Sequence, residues 1–195
     1  MKWGQVSYSS MVVPGCEVGQ IHMLGGVDVF GSPTSLKYRA DLVRKEERFY
    51  PNSSAEADTS ACCKSLRETD YGFVHQVLSY ERVHDSSMTT RSQSLNAYLP
   101  FDISDLLEYG DGFLSADETR RRLQELMTQY YDFLTIGALK RRDNEFWAYH
   151  RQRLTALGTP LRRLHLGKAV CATLLGLLFN PKHTLETLSR LRQRA

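Results

Sequence analysis

The sequence predicts an α/β fold: a mixed strand-and-helix region over residues 1–91, then a basic helical region over residues 92–195. Three observations carry this reading. Short apolar segments flank a Gly31-Ser32-Pro33 turn. The segment YGFVHQVLSYERV alternates like a strand of about ten residues. From residue 92 onward, apolar residues recur at helical spacing.

Each element follows from a local signal. CEVGQIHML, residues 16–24, reads as a short helix that Gly25-Gly26 terminates. VDVF and SLKY, on either side of the glycine turn, read as short strands. After a Pro-Asn-Ser-Ser turn, residues 57–68 read as a helix with Asp58 in its first turn. In the long strand, Phe73, His75, Val77 and Ser79 fall on one face, and Val74, Gln76, Leu78 and Tyr80 on the other. HDSSMTTRS is a polar loop. The stretch SADETRRRLQELMTQYYDFLTIGALK opens with a Ser-x-x-Glu capping box, Ser115 to Glu118. Its apolar residues predict one helix with a buried seam at the Tyr and Phe residues of 130–133. NEFWAYHRQRLTAL and LRRLHLGKAVCATLLGLLF continue the helical pattern, which restarts after Pro181.

Composition narrows the class. With 195 residues, 42% of them hydrophobic and 24% charged, the chain can bury a core of one or two domains. Its net charge of +3 is unevenly spread. Residues 139–195 carry 12 Lys/Arg against 3 Asp/Glu, a balance of +9, which leaves −6 for residues 1–138. A basic tail on a mildly acidic body points to an anionic partner. The four cysteines include a vicinal pair, Cys62-Cys63, but no Cys-x-x-Cys spacing. The expectation is a reducing, cytoplasmic compartment. MKWGQVSYSS has no apolar core of a signal peptide. The apolar run AVCATLLGLLF falls short of the roughly 20 residues that span a bilayer. His22, His75, His150, His165 and His183 are too scattered for a zinc site.

Three segments, taken in order and spacing, resemble the second half of a family 2 glycosyltransferase: LGGVDVFGSPTSLKYRADLVR, ADTSAC and DYGFVHQVLSYERVHDSSMTT. The resemblance implies a GT-A-like mixed sheet in residues 1–91. It also implies inverting transfer of a sugar from a nucleotide-sugar donor to an acceptor hydroxyl. The family's donor and acceptor loop matches Gly31, Ser32, Pro33 and Thr34. Its catalytic aspartate matches Asp58, although Ala57 stands where the family usually has glutamate. Its Arg-x-His segment matches Arg82, beside the diphosphate, and His84, at a divalent Mg²⁺ or Mn²⁺ ion.

These residue types suit the chemistry. A carboxylate within about 2.6–3.2 Å of an acceptor hydroxyl can take its proton as the oxygen attacks. A metal, arginine or histidine then stabilises the leaving diphosphate. The family's Asp-x-Asp motif and nucleotide-binding half are missing from the sequence. The expectation is therefore a fragment, or a chain that works with a separate N-terminal half.

A second class stands beside this one: a non-enzymatic helical binding module whose basic tail contacts an anionic partner. An anionic membrane surface suits basic residues interleaved with apolar ones. Nucleic acid is the weaker expectation, because no helix-turn-helix signature is present. In this class Asp58 is only a helix-capping carboxylate, and Arg82 and His84 are surface residues.

Overall fold

The computed structural model describes residues 10–26, 29–50, 57–80, 95 and 98–179. Among them lie seven α-helices and a single two-stranded sheet. The α/β expectation is therefore corrected: the described chain is mostly helical, and the GT-A-like mixed sheet is not among its elements. Two compact units divide it, Met1–Leu123 and Gln124–Ala195.

In the first unit, β1 (Met11–Val13) pairs antiparallel with β2 (Tyr71–Phe73), with Met11 opposite Phe73 and Val13 opposite Tyr71. Helix α1 (Gly15–Met23) follows β1. Gly25, at φ +76°, turns the chain away from α1, as the sequence predicts. The Arg122 guanidinium donates to the Met23 carbonyl at 3.0 Å and so satisfies one of the open acceptors at that helix end. Helices α2 (Ala40–Arg44), α3 (Ala57–Leu66) and α4 (Tyr98–Tyr109) complete the unit's main elements. Its core is built from Val18 and Met23 of α1, Cys63 and Leu66 of α3, and Ile103 and Leu106 of α4.

The predicted strand SLKY did not form, for a local reason; half of the other, VDVF, lies outside the described residues. Pro33–Ser35 is a 3₁₀ turn, and the segments on either side of it are irregular. The Ser35 hydroxyl donates to the Ser32 carbonyl at 2.6 Å and also reaches Phe30 O at 3.3 Å. Such side-chain bonds offer the backbone an alternative to a ladder. The ten-residue strand is also shorter than predicted. Among the described residues, its pairing with β1 covers Tyr71–Phe73, opposite Met11–Val13.

Helix α5 (Ala116–Leu139) begins in the first unit and ends in the second. Its capping box forms as predicted. The Ser115 N–H and hydroxyl donate to Glu118 Oε2 at 2.9 and 2.6 Å, and the Glu118 N–H returns to Ser115 Oγ at 3.3 Å. In the second unit, helix α6 (Asn144–Ala156) starts at Asp143, whose carboxylate accepts from the Phe146 N–H at 2.9 Å. Tyr130, Leu134, Phe146 and Leu154 are buried. They form the seam expected around residues 130–133. Helix α7 (Arg163–Phe179) follows.

Candidate functional site

Helix α3 turns Ser60, Ala61, Cys62, Cys63 and Leu66 inward. Three of these are polar or polarisable, so the helix brings a polar seam into the core. Ser60 Oγ donates to Asp105 Oδ1 of α4 at 2.7 Å. Cys62 Sγ meets the Tyr38 hydroxyl at 2.9 Å. Burial pushes the Asp105 carboxyl up to about 6; the Ser60 hydroxyl opposes that shift, and Asp102, Glu108 and Asp58 add to it. Burial pushes the Cys62 thiol up to about 12 and the Cys63 thiol well above its usual range. Both thiols therefore stay protonated and are poor nucleophiles at neutral pH. The Tyr38 hydroxyl is likewise raised, first by burial and then by Cys62.

Asp58 belongs to this seam. It lies half-buried in the first turn of α3, and its charge acts on Tyr38, Cys62 and Asp105. It does not line the groove described next.

That groove, of about 1340 Å³, lies in the first unit. Thr34 of the predicted sugar loop lines it, whereas Gly31, Ser32 and Pro33 do not. Gly31 sits at φ +67°, and Ser32 Oγ bonds to Thr34 Oγ1 at 2.9 Å, so this loop is held by its own hydroxyls. Thr34 and Asp58 are thus assigned to different features of the unit. Arg82 and His84 lie outside the described residues. Among the described residues, no group of three or more His, Cys, Asp or Glu is placed to hold a metal ion.

The second unit carries a different kind of surface. The first turn of α7 is tied down by Tyr131, whose hydroxyl accepts from the Arg162 N–H at 3.2 Å and whose ring lies 4.6 Å from that of His165. Beyond this contact, none of the described side chains of α7 is buried. Leu164 is 85% exposed and Leu175 is 53% exposed. Arg162, Arg163 and Lys168 sit at the same end of the helix, outside every described ion pair. Among the described residues, no helix is long and apolar enough to cross a membrane.

Sequence reasoning missed two buried groups that had a signal. Asp105 falls between Ile103 and Leu106 on the apolar face of α4. His150 lies four residues from both Phe146 and Leu154, in the middle of the inward stripe of α6. It is fully buried, and its Nδ1 meets the Tyr130 hydroxyl at 2.7 Å.

No family model matches the chain, and neither does a curated protein or a solved structure. Function must then be argued from the chemistry of these surfaces.

Proposed function

We propose that this protein is a binding module that attaches reversibly to anionic membrane surfaces through α7. One observation carries the reading: an apolar helix with cations at its start leaves its described side chains half-buried or exposed, Leu164, Leu174 and Leu175 among the exposed. Exposed apolar surface of this extent marks an interaction site. Its chemistry then selects the partner. The exposed Leu164, Leu174 and Leu175 gain by leaving water, and Arg162, Arg163 and Lys168 are placed to meet phosphate headgroups. Past the run the sequence returns to a cation at Lys182, so both ends of the segment favour the headgroup layer over the bilayer centre. This is attachment to one face, in keeping with a run too short to span.

Each cation near such a surface contributes about 1 kcal/mol, so the three at the start of α7 supply roughly 3 kcal/mol at low salt. The test is co-sedimentation with phosphatidylcholine vesicles and with vesicles that also contain phosphatidylserine. Binding is expected only to the second kind, and is expected to weaken with salt. Replacing Arg162, Arg163 and Lys168 by Glu together should cut it by about 100-fold or more. Leu174→Asp with Leu175→Asp should weaken it without altering the helical content of the rest of the chain. Equal binding to both vesicles, or to neither, would overturn the proposal. So would salt-dependent binding to duplex DNA without vesicle binding, which would assign the cations to nucleic acid.

A further inference from the structure

The loop between α6 and α7 is set by a helix end. Gly158, at φ +71°, takes a conformation that favours glycine. Two bonds close the turn: the Gly158 N–H donates to Thr155 O at 3.0 Å, and the Thr159 N–H donates to Leu154 O at 2.9 Å. Pro160 follows and cannot extend the helix. The chain is then held against α5, where the Tyr131 hydroxyl accepts from the Arg162 N–H at 3.2 Å. This anchor is itself fixed, because Tyr131 is only 8% exposed.

Between these parts lies a cavity of about 290 Å³, inside the second unit. Gln124, Thr128 and Tyr131 of α5 line it, with Thr159 of the loop and with Arg162 and His165 at the start of α7. Its size stands at the lower edge of the roughly 300–1000 Å³ typical of small-ligand sites, so it suits a compact group. Arg162 gives it a fixed positive charge, and no Asp or Glu is among its described lining residues. Arg162 meets Tyr131 through its backbone N–H, and its guanidinium joins none of the described ion pairs. A guanidinium presents its N–H donors in a planar fork that matches the oxygens of a phosphate. The His165 ring, whose centroid lies 4.6 Å from that of Tyr131, adds an imidazole N–H. Gln124 and Thr159 add neutral donors, whereas the Thr128 hydroxyl is spent on the Gln124 backbone carbonyl at 2.8 Å.

We propose that this cavity seats a phosphomonoester, the terminal phosphate of a lipid headgroup or of a soluble molecule. Such a group carries about 1.5 to 2 negative charges near pH 7 and three acceptor oxygens. A phosphodiester carries one charge and bulk on both sides, so a cavity of this size favours the monoester. A carboxylate has one oxygen fewer and leaves donors unmatched. A lipid source rests on the membrane attachment proposed for α7; a soluble source does not.

The first measurement uses the full chain without vesicles. Methyl phosphate should move the nuclear magnetic resonance signals of the His165 imidazole at millimolar concentration, and dimethyl phosphate at equal ionic strength and pH should not. The second compares vesicles containing phosphatidate with vesicles containing phosphatidylserine, at matched surface charge. Binding to the phosphatidate vesicles is expected to be tighter by about 10-fold. Arg162→Gln should erase that preference. Thr128→Trp fills the cavity without changing its charge and should erase it too. Arg163 does not line the cavity, so Arg163→Gln should weaken binding to both kinds of vesicle alike. Phosphatidate preference assigns the cavity to a headgroup; a response to methyl phosphate without that preference assigns it to a soluble monoester. A response to methyl phosphate with no vesicle binding at all would sink the membrane reading and leave the cavity's role standing. Silence toward methyl phosphate together with equal binding to the two kinds of vesicle would do the reverse. An equal response to both soluble phosphates, or a preference that survives Arg162→Gln and Thr128→Trp, would also overturn the assignment of a phosphomonoester to this cavity.

Discussion

Ser60 and Asp105 join α3 to α4 through a 2.7 Å hydrogen bond between two buried side chains, Asp105 being only 6% exposed. Burial is the main cause that raises this carboxyl, the Ser60 hydroxyl opposes it, and the charged groups that add to the rise are acids. Asp58 of α3 acts on it by charge, Asp102 and Glu108 share its own helix, and Cys62, Cys63 and Tyr109 also feel its charge. A carboxyl raised from near 4 to about 6 holds more proton in the folded state than in the unfolded state across that interval. Its contribution is therefore fully present below pH ~4 and is lost as pH rises through about 6. The loss amounts to about 2–3 kcal/mol. Asp105→Asn keeps an acceptor for Ser60 and removes the charge. Urea unfolding from pH 5 to pH 8 should show the variant gaining on the wild type as pH rises. A difference that does not change with pH would mean that Asp105 is solvated and titrates normally.

Gly137 lies on α5 against the ring of Phe146. A Cβ built at residue 137 would sit 2.8 Å from Phe146 Cε1 and 2.9 Å from Cζ. Helix propensity alone favours Ala over Gly by about 1 kcal/mol. Overpacking a buried site costs about 1–3 kcal/mol. The ring is fully buried among Phe133, Trp147 and His150, so it has little room to yield. Gly137→Ala should therefore lower stability, by about 1 kcal/mol net, in chemical denaturation. A rise in stability would show that the ring can move aside.

Tyr130 and His150 form a buried pair at 2.7 Å inside the second unit. Tyr130→Phe keeps the ring and its edge contact with His150, whose centroid lies 5.5 Å away. It removes the hydroxyl from His150 Nδ1, and the loss of a buried hydrogen bond of this kind costs about 1–3 kcal/mol. Unfolding of the variant should begin earlier by that amount. An unchanged unfolding midpoint would show that the hydroxyl contributes nothing net.

What the sequence determined by itself was local. The capping box at Ser115 and Glu118, the glycine end of α1, the helix around Asp58 and the inward seam at Tyr130 all depend on residues within a few positions of one another. The basic end of α7 and its apolar run were equally legible, because charge and hydropathy need no partner to be read. The sheet was not legible. Strand pairing joins Met11 to Phe73 across 61 intervening residues, and alternation does not say which distant segment a strand will pair with. The site was decided the same way. Asp58 has a meaning only through its neighbours, and the packing of α3 on α4 lets its charge act on a buried Asp105, whereas the groove with Thr34 does not include it. Burial of a polar group depends on which face meets which helix, and that relation exists only once the chain has folded.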